Sequence, residues 1–321
     1  MRLVTTLLAA AAVLLPGAAQ AQDAYPSKAI RIIVPFTPGS ATDVMARILG
    51  ERLTAAWSQP VIVDNRPGAG GSIGIRETAR SAPDGYTLAV VSSGHAVNHV
   101  LYKDLGYDTL KDLSAVAMLG SLPSVLIVPP TLGINSVKEL VAMLKAKPGA
   151  YNYATAGVGS GAHVSAEAFN VAAGVKALHV PLKGTPPMLT ETMAGRVHYA
   201  WVPAVSSMGL VQDGKVKPLA VSTPKRIAAL PDVPTIAEAG FPNGESTFWL
   251  ALLAPARTPP EVLARLNAEV NRTLQSPEMR ERLSKLGTEP MPMTPAEADA
   301  FIAREYKGLG KIMVDSGAKP Q

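Results

Sequence analysis

The feature that most constrains this chain is an alternation that runs from end to end, in which short runs of β-branched and apolar residues precede segments with apolar residues at helical spacing. The first unit is Ala29-Ile30-Arg31-Ile32-Ile33-Val34, followed by residues 42–54, where Val44, Ile48 and Leu53 recur at helical spacing. Further strands are predicted at 61–64, 87–91, 116–119, 125–128, 151–155, 177–181, 197–201, 217–221 and 248–253. Helices are predicted at 137–145, 162–173, 187–193, 260–275, 277–286 and 295–314. Near the end, Thr258-Pro259-Pro260-Glu261, Ser276-Pro277-Glu278 and Thr294-Pro295-Ala296-Glu297 each place a hydroxyl and a proline where a helix should start. Strands alternating with helices predict an α/β fold with largely parallel sheets.

Length sets the next level of organisation. Met1-Arg2-Leu3, an apolar run over 7–15 and Pro16-Gly17-Ala18-Ala19-Gln20-Ala21 read as a secretory leader, residues 1–21, cut before Gln22. The run is far shorter than the roughly 20 apolar residues of a membrane-spanning helix. Its removal leaves 300 of 321 residues, a size at which one core usually gives way to two domains. Leu122-Pro123-Ser124 and residues 244–247 each run straight into an apolar strand and are the expected hinges. Two crossings would put 22–122 and 248–321 in one lobe and 123–247 in the other.

Composition removes several function classes. With no cysteine there is no disulfide, thiolate zinc site, catalytic thiol or lipid-anchored N-terminus, so a freely diffusing periplasmic protein is expected. The net charge of +5, reduced to +4 once Arg2 leaves with the leader, is scattered, and aromatics make up only 5%. Nucleic acid is therefore not an expected partner. A weakly positive surface favours anionic ligands. The five histidines, His95, His99, His163, His179 and His198, form no metal-binding pattern, and Gly159-Ser160-Gly161 lacks the glycine a nucleophile elbow needs at Val158. Binding without chemistry, without a cofactor or metal, is the simpler account.

Two loops concentrate donors. Pro35-Phe36-Thr37-Pro38-Gly39-Ser40-Ala41-Thr42-Asp43 joins the first strand to its helix, and Tyr153-Ala154-Thr155-Ala156-Gly157-Val158-Gly159-Ser160-Gly161-Ala162-His163 does the same further on. In open α/β sheets ligands lie beyond the carboxyl ends of strands, where helix N-termini present unpaired N–H groups and about half a positive charge. Both loops suit an anion. Equally, Ser40 or Thr42 could simply cap a helix, and His163 could be a first-turn histidine with its bonds satisfied locally. A third glycine-rich stretch, residues 65–74, lacks the spacing of a nucleotide loop.

Several stretches together resemble one family. Ile33-Val34-Pro35-Phe36, Gly39, Thr42-Asp43 and Ala46-Arg47 come first, then Val63-Asp64-Asn65-Arg66-Pro67-Gly68-Ala69-Gly70-Gly71, Ala82-Pro83-Asp84-Gly85-Tyr86-Thr87-Leu88 and Ala229-Leu230-Pro231-Asp232-Val233-Pro234-Thr235. In order and spacing these are similar to the Bug receptors, the substrate-binding proteins of tripartite tricarboxylate transporters. The resemblance implies a two-lobed type II periplasmic-binding-protein fold that closes on a small carboxylate by a hinge motion. It nominates Phe36, Thr37, Gly39, Ser40, Thr42 and Asp43 on one side of the ligand. Thr155, Ala156, Gly157, Gly159, Ser160 and His163 stand opposite, with Ser92, Ser93 and His95 lining the distal part.

Two departures bear on the ligand. Gly39-Ser40 replaces a double glycine frequent in the family, which adds a hydroxyl to the first loop or narrows the cleft. Many relatives carry an acid near the end of the strand written here Tyr199-Ala200-Trp201-Val202-Pro203, and Val202 offers none. An acid there would suit an ammonium group, so a di-, tri- or aromatic carboxylate without an amine is expected. The chain is expected to be a monomer that transiently meets membrane transporter subunits. A receptor reporting to a membrane sensor kinase would need the same pocket, and an exported hydrolase using Ser160 and His163 would need an acid behind the imidazole.

Overall fold

The computed structural model describes residues 25–285 and 287–320. The predicted leader and Leu286, the last residue of one predicted helix, lie outside the described residues.

Among the described residues ten strands form two five-stranded sheets, filled in an order set by two crossings of the chain. The first sheet opens with β1 (Ile30–Val34), α1 (Ala41–Trp57), β2 (Val61–Asn65), α2 (Ser72–Ala79), β3 (Thr87–Ser92), the single-turn α3 (Asn98–Leu101) and β4 (Leu113–Leu122). Only Pro123 separates β4 from β5 (Ser124–Val128), which lies in the second sheet. That sheet is completed by α4 (Val137–Ala146), β6 (Asn152–Thr155), α5 (Gly161–Ala173), β7 (Leu178–Pro181), α6 (Thr185–Met193), β8 (Tyr199–Pro203), α7 (Ala204–Gln212) and β9 (Lys217–Val221). The chain returns to the first sheet as β10 (Phe248–Pro255) and ends in α8 (Pro260–Gln275), α9 (Pro277–Lys285) and α10 (Pro295–Asp315).

The sheet orders are β2-β1-β3-β10-β4 and β7-β6-β8-β5-β9. Each therefore carries, second from one edge, a strand that feeds a loop and then a helix: β1 into α1, and β6 into α5. The sheets are mixed where largely parallel ones were expected. In each, two pairings are parallel, and the remaining two belong to one strand, β10 or β5, that runs antiparallel to both neighbours. Both strands enter their sheet from the other lobe, β5 after Pro123 alone and β10 after residues 222–247. They therefore bypass the helical crossover that a parallel neighbour requires.

Most strands of both sheets are buried on both faces, which explains why they read as continuous apolar runs. In β10 the alternation is visible in the packing. Leu250 and Leu252 face Ile48, Leu49 and Leu53 of α1 and Leu266 and Val270 of α8, while Ala251 and Leu253 face Ile302 and Met313 of α10. Each such leucine contributes about 1.5–3 kcal/mol on burial. The second sheet is enclosed the same way, with Trp201 fully buried beside Phe169 and Tyr199 in its core.

Several helix starts follow the sequence reading and one does not. Thr294 forms a full capping box with Glu297, and Ser276 accepts the Met279 N–H. Thr258 instead donates to the Pro255 carbonyl, leaving Pro259 at the cap position of α8. Three helices went unread: α2 has a glycine at its cap position, α3 is a single turn, and α7 follows β8 without an intervening loop.

Candidate binding cleft

The β1–α1 and β6–α5 junctions have the same local construction. Ser40 and Ser160 are the N-caps, at φ −71°, ψ 161° and φ −72°, ψ 159°, and each side chain accepts the N–H of the third helical residue, Asp43 or His163. The glycine before each cap, Gly39 or Gly159, sits at φ +82° or +78°, a region that costs other residues roughly 1–2 kcal/mol. The third helical side chain then reaches back to that glycine: Gly39 N–H donates to Asp43 Oδ2 at 2.9 Å, and Gly159 N–H donates to His163 Nδ1 at 3.2 Å. In both loops the side chain at this position thus consumes the glycine N–H. The first-turn N–H groups of Ala41, Thr42, Gly161 and Ala162 have no intrahelical carbonyl to bond.

Both helix starts open on one cavity, lined by Phe36, Ser40, Ala41, Thr42, Ser92, Ala156, Ser160, Gly161, Ala162, Thr185, Pro203 and Phe248. Its volume is about 20 Å³, room for about one water molecule. Phe36 and Ala156 also line an adjoining cleft of about 530 Å³ that continues along Thr37, residues 67–71, Tyr102, Gly157 and residues 181–184. The two sides meet closely: Tyr102 donates to the Val158 carbonyl at 2.8 Å, and a Cβ added to Gly94 would lie 2.0 Å from the Gly159 carbonyl oxygen.

The electrostatics favour an anion. Two helix N-termini aim their partial positive charge at the same small volume. Asp43 would oppose this, but its carboxylate is fully engaged, by Arg47 at 3.0 Å, Asn65 at 2.9 Å and Gly39. Burial pushes this carboxyl up, and the Arg47, Gly39 and Asn65 bonds outweigh it, so that Asp43 stays below its ordinary range. Opposite, burial and then the neighbouring His179 pull His163 down to about 3, so its ring is neutral. Ser40 and Thr42 share a hydroxyl bond of 2.9 Å, which leaves one O–H of the pair free to donate to a ligand.

Of the sequence-nominated residues, Phe36, Ser40, Thr42, Ser92, Ala156 and Ser160 line the cavity, while Thr37 and Gly157 line the adjoining cleft. Gly39, Asp43, Gly159 and His163 shape the loops from behind. Thr155 is bonded to His179 Nε2 at 2.6 Å, His163 stacks on the same ring at 4.1 Å, and Ser93 is buried beside Gly161. His95 is brought elsewhere: it lines a separate pocket with Thr109, Leu113 and Asp299 under the start of α10. At the end of β8, Val202 is packed in the core, and Pro203 is the residue that reaches the cavity. Trp201 is core.

The sequence reading missed Ala41, Gly161, Ala162, Thr185, Pro203 and Phe248. The first three bring only backbone N–H groups to the cavity, which side-chain chemistry does not reveal. The last three arrive from other elements: Thr185 begins α6, Pro203 ends β8 and Phe248 begins β10. Among the described residues no group of three His, Cys, Asp or Glu side chains could hold a metal ion. Ser160 Oγ accepts the His163 backbone N–H, His163 Nδ1 accepts the Gly159 N–H and its Nε2 lies 3.7 Å from Glu167, so Ser160 and His163 share no side-chain hydrogen bond.

The fold defines a two-lobed binding protein of the periplasmic-binding-protein type, with the cavity between its two sheets. Residues 45–317 match the family model described as tripartite tricarboxylate transporter family receptor, and the chain belongs to this family of transport receptors, which are binding proteins and not enzymes. Protein BugT of Bordetella pertussis is 38% identical over 301 residues, covering 92% of each chain. Among solved structures, R. palustris Rpa4515 with adipate superposes with a TM-score of 0.89 at 34% identity, over 92% of this chain and 100% of the other. MatC from Rhodopseudomonas palustris with bound malate gives 0.85 at 31%, over 90% and 99%.

Proposed function

We propose that this receptor captures a small organic carboxylate lacking an amine and delivers it to the membrane subunits of a tripartite tricarboxylate-type transporter. The observation that carries the reading is the convergence of two serine-capped helix N-termini, α1 and α5, on one cavity. With the lobes drawn far enough apart to widen that one-water cavity, a carboxylate there accepts from Ala41, Thr42, Gly161 and Ala162 N–H groups and from the Thr42 and Ser160 hydroxyls. No acidic side chain lines the cavity, so an ammonium group finds no counter-ion. Relatives solved with adipate and with malate, both carboxylates without an amine, support this choice.

The receptor acts as a monomer in the periplasm after cleavage before Gln22. Its lobes are 22–122 with 248–321, and 123–247, and they part at Pro123 and at 244–247 to admit the ligand. Native mass spectrometry of freshly purified protein tests the reading: a bound small acid is expected, and a co-purified amine or sugar would refute it.

A further inference from the structure

The β6–α5 loop, the second of the two donor loops, is seated on the sheet it does not belong to. Its Val158, and Val164 further along α5, pack into the apolar cluster of the first sheet with Leu101, Trp249 and Ile302. The Val158 carbonyl accepts the Tyr102 hydroxyl at 2.8 Å. The fit is close on both sides: a Cβ added to Gly70 would run into the Val158 carbonyl oxygen, and one added to Gly159 into Asn98 Oδ1. Gly70, Asn98 and Tyr102 all lie between β2 and β4, strands of the first sheet. Burial pushes the Tyr102 phenol up to about 12, so its O–H stays a donor across the neutral range. Beyond Val158 the loop runs on to Ser160, Gly161 and Ala162, which line the cavity.

We infer that Tyr102 is a positioning residue for the second donor loop: its hydroxyl latches the Val158 carbonyl to the first lobe, so that the lobes populate a closed arrangement before a ligand arrives. The inference rests on the reading that the cavity between α1 and α5 holds the ligand, since that makes the placement of the loop matter for binding. Tyr102 and Val158 lie outside that cavity and border the adjoining cleft. The latch therefore acts on the balance between open and closed lobes, and a ligand that needs the closed form gains affinity in proportion to the fraction closed. A hydroxyl that merely filled space would leave that balance unchanged.

Pulsed electron resonance between spin labels on Ala56→Cys and Lys176→Cys, exposed positions in α1 and just before β7, decides the matter in the mature protein refolded from urea to free it of co-purified acid. The chain has no cysteine of its own to interfere. Without ligand the label distances are expected to show a closed population beside an open one. Tyr102→Phe should lower the closed-to-open ratio about fivefold, the effect of one neutral hydrogen bond. Val158→Ser should shift it the same way by removing the apolar seat. Equal ratios in the unaltered protein and Tyr102→Phe, or no closed population in either, overturn the latch and leave the carboxylate reading standing. A Tyr102→Phe variant that opens as expected, in a protein that neither adipate nor malate closes further, supports the latch while counting against the carboxylate reading.

Discussion

Ser40 and Ser160 face one cavity from opposite sheets with backbone angles within 2° of each other, each capping the helix that leaves the second strand of its sheet. On the proposed reading each lobe supplies one half of the anion site, and a carboxylate bound there would accept from both helix starts, so that binding and lobe closure would be coupled.

Replacing either serine should show both roles. Ser40→Ala and Ser160→Ala each remove a cap acceptor, for an expected loss of about 1 kcal/mol in chemical denaturation. Thr42→Ala, which caps nothing, should lower carboxylate affinity about tenfold through one lost hydrogen bond to a charged group while leaving the unfolding midpoint nearly unchanged. Unaltered affinity in both Thr42→Ala and Ser160→Ala would remove the two-helix clamp.

Gly94→Ala tests the contact between the lobes. A Cβ there meets the Gly159 carbonyl oxygen at 2.0 Å, and backbone on both sides cannot yield as a flexible side chain would. Small-angle scattering should find the variant more open in saturating ligand, with affinity reduced by at least about tenfold, or 1.4 kcal/mol. Ligand-induced compaction equal to that of the unaltered protein would contradict the close approach.

Acid should destabilise the fold well above the carboxylate range. Burial lowers His95 and His179 to about 4 and His163 to about 3, against an ordinary 6.5. Below 6.5 the unfolded chain takes up protons that the folded chain refuses, so stability is complete above that pH and falls as pH drops toward the folded values. Each histidine contributes a slope of up to about 1.4 kcal/mol per pH unit in that window. Asp43, held below its ordinary 3.8, adds a loss only at more acidic pH. Urea midpoints at pH 7, 6 and 5 should decline steadily, and His163→Gln should flatten the decline. A midpoint constant across that range would refute the buried neutral imidazoles.

Much of this fold was legible in the sequence because sheet strands buried on both faces carry an unmistakable apolar run, as β1, β5 and β10 do. Strand direction was not, since alternation fixes order and says nothing of how β5 and β10 enter their sheets. The two loops stood out through Gly39-Ser40 and Gly159-Ser160, where the turn needs a glycine and the helix needs a cap. What each loop residue does was hidden, because Asp43 and His163 differ in chemistry yet both serve to accept a glycine N–H. His95 lies only two residues after Ser93, yet the helical turn after β3 carries its ring away from the cavity Ser92 lines. Pro203 and Phe248 reach the site from strands far off in sequence, and only the crossing of the chain between sheets brings them there.

The most direct test of the central claim is a thermal-shift comparison of one carboxylate series against the matching amides and amino acids. A bound carboxylate at about a hundred times its dissociation constant should add about 2.7 kcal/mol of stability and raise the melting temperature, while the amide and amino acid of the same skeleton leave it unmoved. A shift from the amide or the amino acid equal to that from the carboxylate would contradict an anion held between Ser40 and Ser160.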